Sequence, residues 1–313
     1  MAILKLIQSE HTKSPVEKAL KNCENRFAFI GSITNHFKHN CQEKLAVNRS
    51  TFPSPPPPQE SRSVTVVVPA LNEEGNLEML MLVLEQTFQE LGFTLPVLLI
   101  DDGSIDNSLQ LLTYLSKEYS FLQVIRHPYR RGVTGVWKTA LAHTSSDWLY
   151  WGQADLESDF RTDLPLLLKA CGPGVDGVAG WRQKRGDGKI VASSLANSTC
   201  RLAFGLKIHD MNWIKLVRRD LLAALPLDLV THRYLLAILA GWGYSIAEVP
   251  TPWHPRYSGK SKFGRGRLIA SAMDFWQLWW WFQTKGRLLS AAHLEYITPL
   301  KNEQIAQKIV ANA

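Results

Sequence analysis

The sequence is poor in cysteine, and the cysteines it has form no pattern. Cys23, Cys41, Cys171 and Cys200 are scattered through 313 residues without a CxxC pair, which argues against a zinc ribbon or a disulfide framework and for a reducing, cytoplasmic setting. No window offers the roughly 20 uninterrupted apolar residues of a membrane-spanning helix. The opening MAILKLIQSEH regains charge after too few apolar residues for a signal-peptide core, so the chain is expected not to cross a membrane. No GxGxxG follows the first strand-like run, which disfavours a dinucleotide oxidoreductase. The basic balance, +7 with a pI near 9.2, favours anionic partners. No recognisable nucleic-acid module accompanies it, so nucleic acid is not an expected partner.

What is present is enough apolar sequence, 45%, to fill a core. Residues 1–62 carry mixed charge and end in TFPSPPPPQESR, whose prolines Pro55 to Pro58 form an extended spacer; they are expected to be a poorly ordered extension. A folded domain is expected over 63–267. It opens with VTVVVPALNEE, a β-branched run that predicts a central strand ending at Pro69, followed by a helix from about Gly75 to Leu91. LLIDDGSID, from Leu98, predicts a second buried strand running into Asp101 and Asp102. The unit has the length of a right-handed crossover and predicts an α/β, doubly wound, mostly parallel sheet. Asn72, Glu73 and Glu74 then lie over the carboxyl edge, where such sheets bind ligands. Two adjacent acids repel, and a cation or a hydroxylated ligand is the usual compensation. Ser104 or Asp106 reads as a helix cap, and Glu74 as an acid at a helix amino terminus.

The next repeat predicts a helix from Ser108 to Tyr119, a strand at Leu122 to Arg126 and a loop holding His127, Arg130 and Arg131. Gly132 and Gly135 precede a helix from Val136 to His143, and amides freed there suit an anion such as a pyrophosphate, unless the charges are only a solvated face. A strand at Asp147 to Gly152 leads into Gln153, Asp155 and Glu157. Oxygens at alternate positions past a strand end can hold a divalent cation against phosphates. Two basic sets follow: Arg182, Lys184, Arg185 and Lys189 after a strand at Asp176 to Gly180, then Arg256, Lys260 and Lys262 around Gly259. Two anionic substrates brought together require two such sets. In 268–313, Leu268, Ala272, Phe275, Trp279 and Phe282 share a helical face that Trp276, Trp280 and Trp281 thicken. Beside Lys262, Arg265, Arg267, Lys285 and Arg287 it suits a membrane interface, the alternative being a helix packed on the core. The tail from Leu288 has no readable role.

VVVPALNE from Val66, DDGSID from Asp101, RGVTGVWKTAL from Arg131, QADLE from Gln153, GWRQKRGD from Gly180 and HPRYSGKSKFG from His254 together resemble the family-2 glycosyltransferases, in order and spacing over about Val64 to Trp281. Within them the chain is most similar to the dolichol-phosphate mannosyltransferase and polyprenyl-phosphate glycosyltransferase group. The resemblance implies a GT-A fold and assigns Pro69, Asn72, Glu73, Asp101 and Asp102 to a nucleotide-sugar site, Asp101 near the base or ribose. It implies Mg or Mn on the donor diphosphate at Gln153, Asp155 and Glu157, and acceptor phosphate contacts at Arg182, Arg185, Lys189, Arg256, Ser261 and Lys262. Asp155, Arg182 and Asp210 become the catalytic candidates; Asp210 either pairs with a basic acceptor residue or makes a structural salt bridge. One position departs from the family. Gln153 stands first in the usual Asp-x-Asp and offers a carbonyl oxygen without charge, which should weaken or shift metal preference.

The implied partners are a nucleoside-diphosphate sugar, polyprenyl phosphate and the cytoplasmic face of a membrane, bound peripherally. A lipid monophosphate has a second pKa of about 6 and needs no protein base, so direct attack with inversion is expected. A saccharide hydroxyl is the alternative acceptor and would need a base, with Asp187 and Asp210 as candidates. A nucleotide- or lipid-phosphate-binding protein with an attenuated metal site is the third alternative. The sugar, and the choice between GDP and UDP, are left open.

Overall fold

Val64–Ala70 forms strand β1, with Val66, Val67 and Val68 fully buried, and its alternate residues feed two cores, as the pleat requires. Val67 joins one hydrophobic cluster and Val66 and Val68 the other. The computed structural model describes residues 63–183, 190–259 and 267–286; the extension expected over 1–62 and the tail beyond 286 lie outside the described residues. The other strands are β2 (Val97–Asp101), β3 (Leu122–Arg126), β4 (Trp148–Trp151), β5 (Gly177–Arg182), β6 (Lys215–Arg218) and β7 (Ile246–Thr251). They form a seven-stranded sheet in the order β3-β2-β1-β4-β6-β5-β7. Only β6 runs antiparallel to its neighbours, β4 and β5. The carboxyl ends of the other six therefore share one edge.

The helices are α1 (Leu77–Leu91), α2 (Ser108–Glu118), α3 (Gly132–His143), α4 (Phe160–Ala170), α5 (Ile190–Phe204), α6 (Arg219–Ala224), α7 (Leu235–Gly241) and α8 (Arg267–Trp281). Helices α1, α2 and α4 cover one face of the sheet, and α3, α5, α6, α7 and α8 the other. Each fully buried Leu or Val contributes about 1.5–3 kcal/mol to holding these layers together.

Three expectations are corrected. Strand β1 runs through Pro69 to Ala70 instead of ending at the proline. Its pairing with β4 stops at Val67, so a residue without an N–H breaks no ladder on that side. Helix α3 begins at Gly132 rather than Val136, because its first amides find an acceptor described below. On α8 the inward face is Phe275, Leu278 and Trp279, continued by Phe282 in the π turn Phe282–Gly286. Ala272, expected on that face, is exposed. Met273, Trp276 and Trp280 point outward, 68%, 64% and 60% exposed. The helix thus packs on the core with one face and offers an apolar face to its surroundings with the other.

Candidate active site

The loops at the carboxyl edge interlock through side chains. Asn72 takes a left-handed conformation, φ 53°, which a short polar side chain tolerates best. Its main-chain N–H donates to Ser104 Oγ at 2.8 Å, and its Oδ1 accepts from the Ile105 N–H at 2.8 Å. The Glu73 N–H donates to Ser108 Oγ at 2.9 Å, while Asn76 Nδ2 donates to Glu73 Oε2 at 2.5 Å. Asp106 accepts from the Ser108 N–H and from the Glu74 N–H. The cap anticipated at Ser104 or Asp106 is thereby shared between the β1 and β2 loops, which act as one shelf.

The two adjacent acids part company on this shelf. Asp101 is wholly buried; Oδ1 accepts from the Ser104 N–H at 3.0 Å. Its Oδ2 has no hydrogen-bond partner among the described residues, with Arg126 Nε 3.9 Å away. Asp102 is saturated. Its Oδ1 receives the Arg131 N–H and faces His127 Nδ1, both at 2.8 Å, and its Oδ2 receives the Gly132 N–H at 2.9 Å. His127 Nε2 continues to Thr139 Oγ1 at 2.8 Å. The compensation sought in a cation or ligand comes from the protein itself, and the α3 terminus expected to hold a pyrophosphate already holds this carboxylate.

After β4 the chain turns at Leu156, φ 57°. Asp155 and Glu157 converge on one guanidinium: Arg256 Nη2 lies 2.9 Å from Asp155 Oδ2, and Nε 2.7 Å from Glu157 Oε1. Burial raises the Asp155 carboxyl above its usual range, opposed by Arg256 and reinforced by Glu157. Gln153 Oε1 is buried without a partner among the described residues. Pro69, Asn72, Glu73, Asp101, Gln153, Asp155, Glu157 and Arg256 therefore gather at one edge.

Arg182, at the end of β5, makes a bidentate pair with Asp210: Nε to Oδ2 at 2.5 Å and Nη2 to Oδ1 at 3.0 Å. Its guanidinium lies 4.6 Å from the centre of the Trp213 ring. Arg185 and Lys189 of the first basic set, and Ser261 and Lys262 of the second, lie outside the described residues, as does Asp187.

Residues 65–216 match the model described as glycosyl transferase family 2. The chain carries a glycosyl transferase family 2 domain. Over 238 residues this glycosyltransferase is 26% identical to the dodecaprenyl-phosphate galacturonate synthase of Rhizobium johnstonii, covering 74% of this chain and 70% of that one. The crystal structure of glucosyl-3-phosphoglycerate synthase from Mycobacterium tuberculosis shares the fold with a TM-score of 0.51 at 22% identity, over 69% of this chain and 79% of that one. A second crystal structure, of a mycobacterial protein, gives 0.50 at 19%, over 66% and 70%. The fold is GT-A.

Several residues of this glycosyltransferase that shape the site had not been singled out from the sequence. Glu248 on β7 accepts from the main-chain N–H groups of His209 and Asp210, at 2.6 and 3.0 Å, and so aims the Asp210 carboxylate at Arg182. A lone acid inside the strand-like run SIAEVPT was its only signal. Lys215 at the start of β6 is fully buried, its Nζ 3.2 Å from His232 Nε2 and 3.3 Å from His232 O. Trp137 Nε1 donates to His232 Nδ1 at 2.9 Å, which leaves the proton of a neutral imidazole on Nε2. Lys215 then accepts from Nε2, and only a neutral amine can accept. Burial, which pushes Lys215 down to about 7 and His232 well below its usual value, agrees.

Proposed function

We propose that this glycosyltransferase moves one sugar from a nucleoside-diphosphate sugar to the phosphate of a polyprenyl phosphate, with Mg or Mn on the donor diphosphate. The observation that carries this is the junction of Asp155, Glu157 and Arg256 beside Gln153 Oε1, which has no partner among the described residues. The name of the Rhizobium relative, a dodecaprenyl-phosphate galacturonate synthase, supports a polyprenyl phosphate as acceptor.

The donor set fits a hard cation. Two carboxylates and an amide oxygen at alternate positions suit Mg or Mn, and Gln153 Oε1, buried without a partner among the described residues, is an oxygen such a cation could take. When bound, that cation would neutralise the leaving diphosphate. The nucleotide would lie on the shelf of Pro69, Asn72 and Glu73, where Asp101 Oδ2, without a hydrogen-bond partner among the described residues, would accept from a base or ribose. Asp102 belongs to the same site as its support, holding the 131–132 main chain. Arg182 and Arg256 draw two phosphates together, so the rate gain is alignment and charge neutralisation. A dianionic phosphate attacks without a protein base and inverts the anomeric carbon.

A saccharide hydroxyl would require a base. Of the two candidates, Asp187 lies outside the described residues, and Asp210 has both oxygens on Arg182, a poor arrangement for accepting a proton. This favours the phosphate acceptor.

Among the described residues no helix is long and apolar enough to cross a membrane. The outward Met273, Trp276 and Trp280, with Lys285 in the following turn, support peripheral docking on the cytoplasmic face of a membrane, where the prenyl chain resides. The domain boundaries proposed with this reading are 63–267 for the catalytic unit and 268–313 for the docking segment. The test supplies polyprenyl phosphate, Mg or Mn and a panel of labelled nucleotide sugars. Label from one donor entering the organic phase is expected; no transfer from any donor, with nucleotide still bound, overturns the reading.

A further inference from the structure

Arg256 stands where a cation would have to stand. Its Nη2 and Nε bind Asp155 Oδ2 and Glu157 Oε1, and the three side chains are 24%, 14% and 20% exposed. Two carboxylates this close and this buried destabilise one another unless a positive charge sits between them. The guanidinium is that charge.

The main chain brings it there. The His254 N–H donates to Glu157 O at 3.0 Å and the Tyr257 N–H to Asp155 O at 3.3 Å, so the segment is laced to the acid loop on both sides of the arginine. Ser258 O accepts from Asn76 Nδ2 at 3.4 Å. A Cβ on Gly75 would stand 2.8 Å from Ser258 Oγ. The same segment therefore touches the acid loop and the nucleotide shelf, and the backbone contacts do not depend on where the guanidinium points.

A divalent cation must take these oxygens at about 2.0–2.2 Å. A guanidinium hydrogen-bonded to the same oxygens occupies that space and repels a second cation. We propose that Arg256 is the resident counter-ion of the Asp155–Glu157 pair and that a divalent cation binds there only as Arg256 leaves. Bare cation then binds weakly, since it must strip the arginine of its partners with nothing to offer in return. Cation arriving with a nucleoside diphosphate binds tightly, because the diphosphate gives the released guanidinium a new anion. The arginine thus couples the filling of the donor site to the exposure of a positive charge for the phosphates. This inference rests on the donor-site reading above.

The test is binding, not turnover. Free Mn is followed by its electron paramagnetic resonance signal as the wild-type chain, Arg256→Gln and Arg256→Lys are titrated, with and without UDP or GDP. Wild type is expected to bind bare Mn weakly and to gain about tenfold or more in affinity with its nucleotide. Arg256→Gln is expected to bind bare Mn about tenfold more tightly than wild type and to lose most of the nucleotide's effect; Arg256→Lys should fall between. Asp155→Asn should abolish the gain in the Gln variant, which places the ion. Circular dichroism and melting confirm that each variant is folded. Equal affinity of wild type and Arg256→Gln for bare Mn, with nucleotide-dependent Mn binding intact in both, overturns the proposal and leaves the donor site standing. Mn binding by neither, with any nucleotide, overturns both.

Discussion

Arg182 and Asp210 face each other through two hydrogen bonds, each side chain only 9% exposed, with Trp213 beneath the guanidinium. The pair joins the end of β5 to the loop before β6, and Glu248 from β7 fixes the loop's main chain. A positive charge is thereby fixed in direction at the carboxyl edge of the sheet.

Removing the carboxylate should expose that dependence. Asp210→Ala leaves a guanidinium buried without its partner and is expected to cost about 3 kcal/mol in stability. Transfer should fall by about 100-fold or more as Arg182 loses its aim. Glu248→Ala should reduce transfer less, because it releases two amides rather than a charge. Denaturant melts and initial rates on the two variants check the order.

Asp102→Ala removes the acceptor of two main-chain amides and of His127 together. Stability is expected to drop by about 2–3 kcal/mol. An isosteric Asp102→Asn should recover part of this, since one oxygen still accepts. Hydrogen exchange at the Arg131 and Gly132 amides, followed by mass spectrometry, should accelerate in both variants and most in the alanine.

Lys215 makes stability depend on pH. Its folded value is about 7 against an ordinary 10.5, so between those two values the unfolded chain binds more protons than the folded one. Stability therefore rises with pH across that window, and the cost of the buried lysine is greatest at and below about pH 7. Lys215→Met should flatten that part of the profile and raise the melting temperature at pH 7 by a few degrees. Melting curves from pH 6 to 10 read this directly.

Trp276 and Trp280 test the docking face. The double substitution to Ser removes two mostly exposed rings, of which Trp276 stacks on Trp279 with centroids 5.3 Å apart, so stability should fall by no more than about 0.5–1.5 kcal/mol. Cosedimentation with vesicles containing anionic lipid should fall several-fold. Equal sedimentation would exclude this face from membrane contact.

The parts of the fold visible in the sequence were those with a local signature. Val64 to Val68 and Leu98 to Ile100 are apolar on both faces, as strands buried in a parallel sheet must be, and their acids mark the carboxyl edge. Strand β6 has no such signature, since a four-residue antiparallel insert beginning with a buried lysine resembles a loop. The acid triplet at Gln153, Asp155 and Glu157 could be read from its alternation after β4. That Arg256, about 100 residues later, closes on it could not, because the pairing depends on how the chain returns over the sheet. Asp102 resembles its neighbour in sequence, and only the loop beyond β3 separates a carboxylate spent on the fold from one with an oxygen lacking a hydrogen-bond partner among the described residues. Side chains on α8 divided by face as their spacing allows, but only the contact with Phe204 and Tyr234 shows which face is inward.

The central claim, a phosphate acceptor attacked without a protein base, is tested most directly by offering polyprenyl phosphate and the matching polyprenol side by side with the productive nucleotide sugar. Transfer to the phosphate alone, with a rate that rises as the phosphate takes its second charge near pH 6 and then levels, is the expected result. Transfer to the alcohol or to an added saccharide, with no lipid-phosphate product, would contradict it.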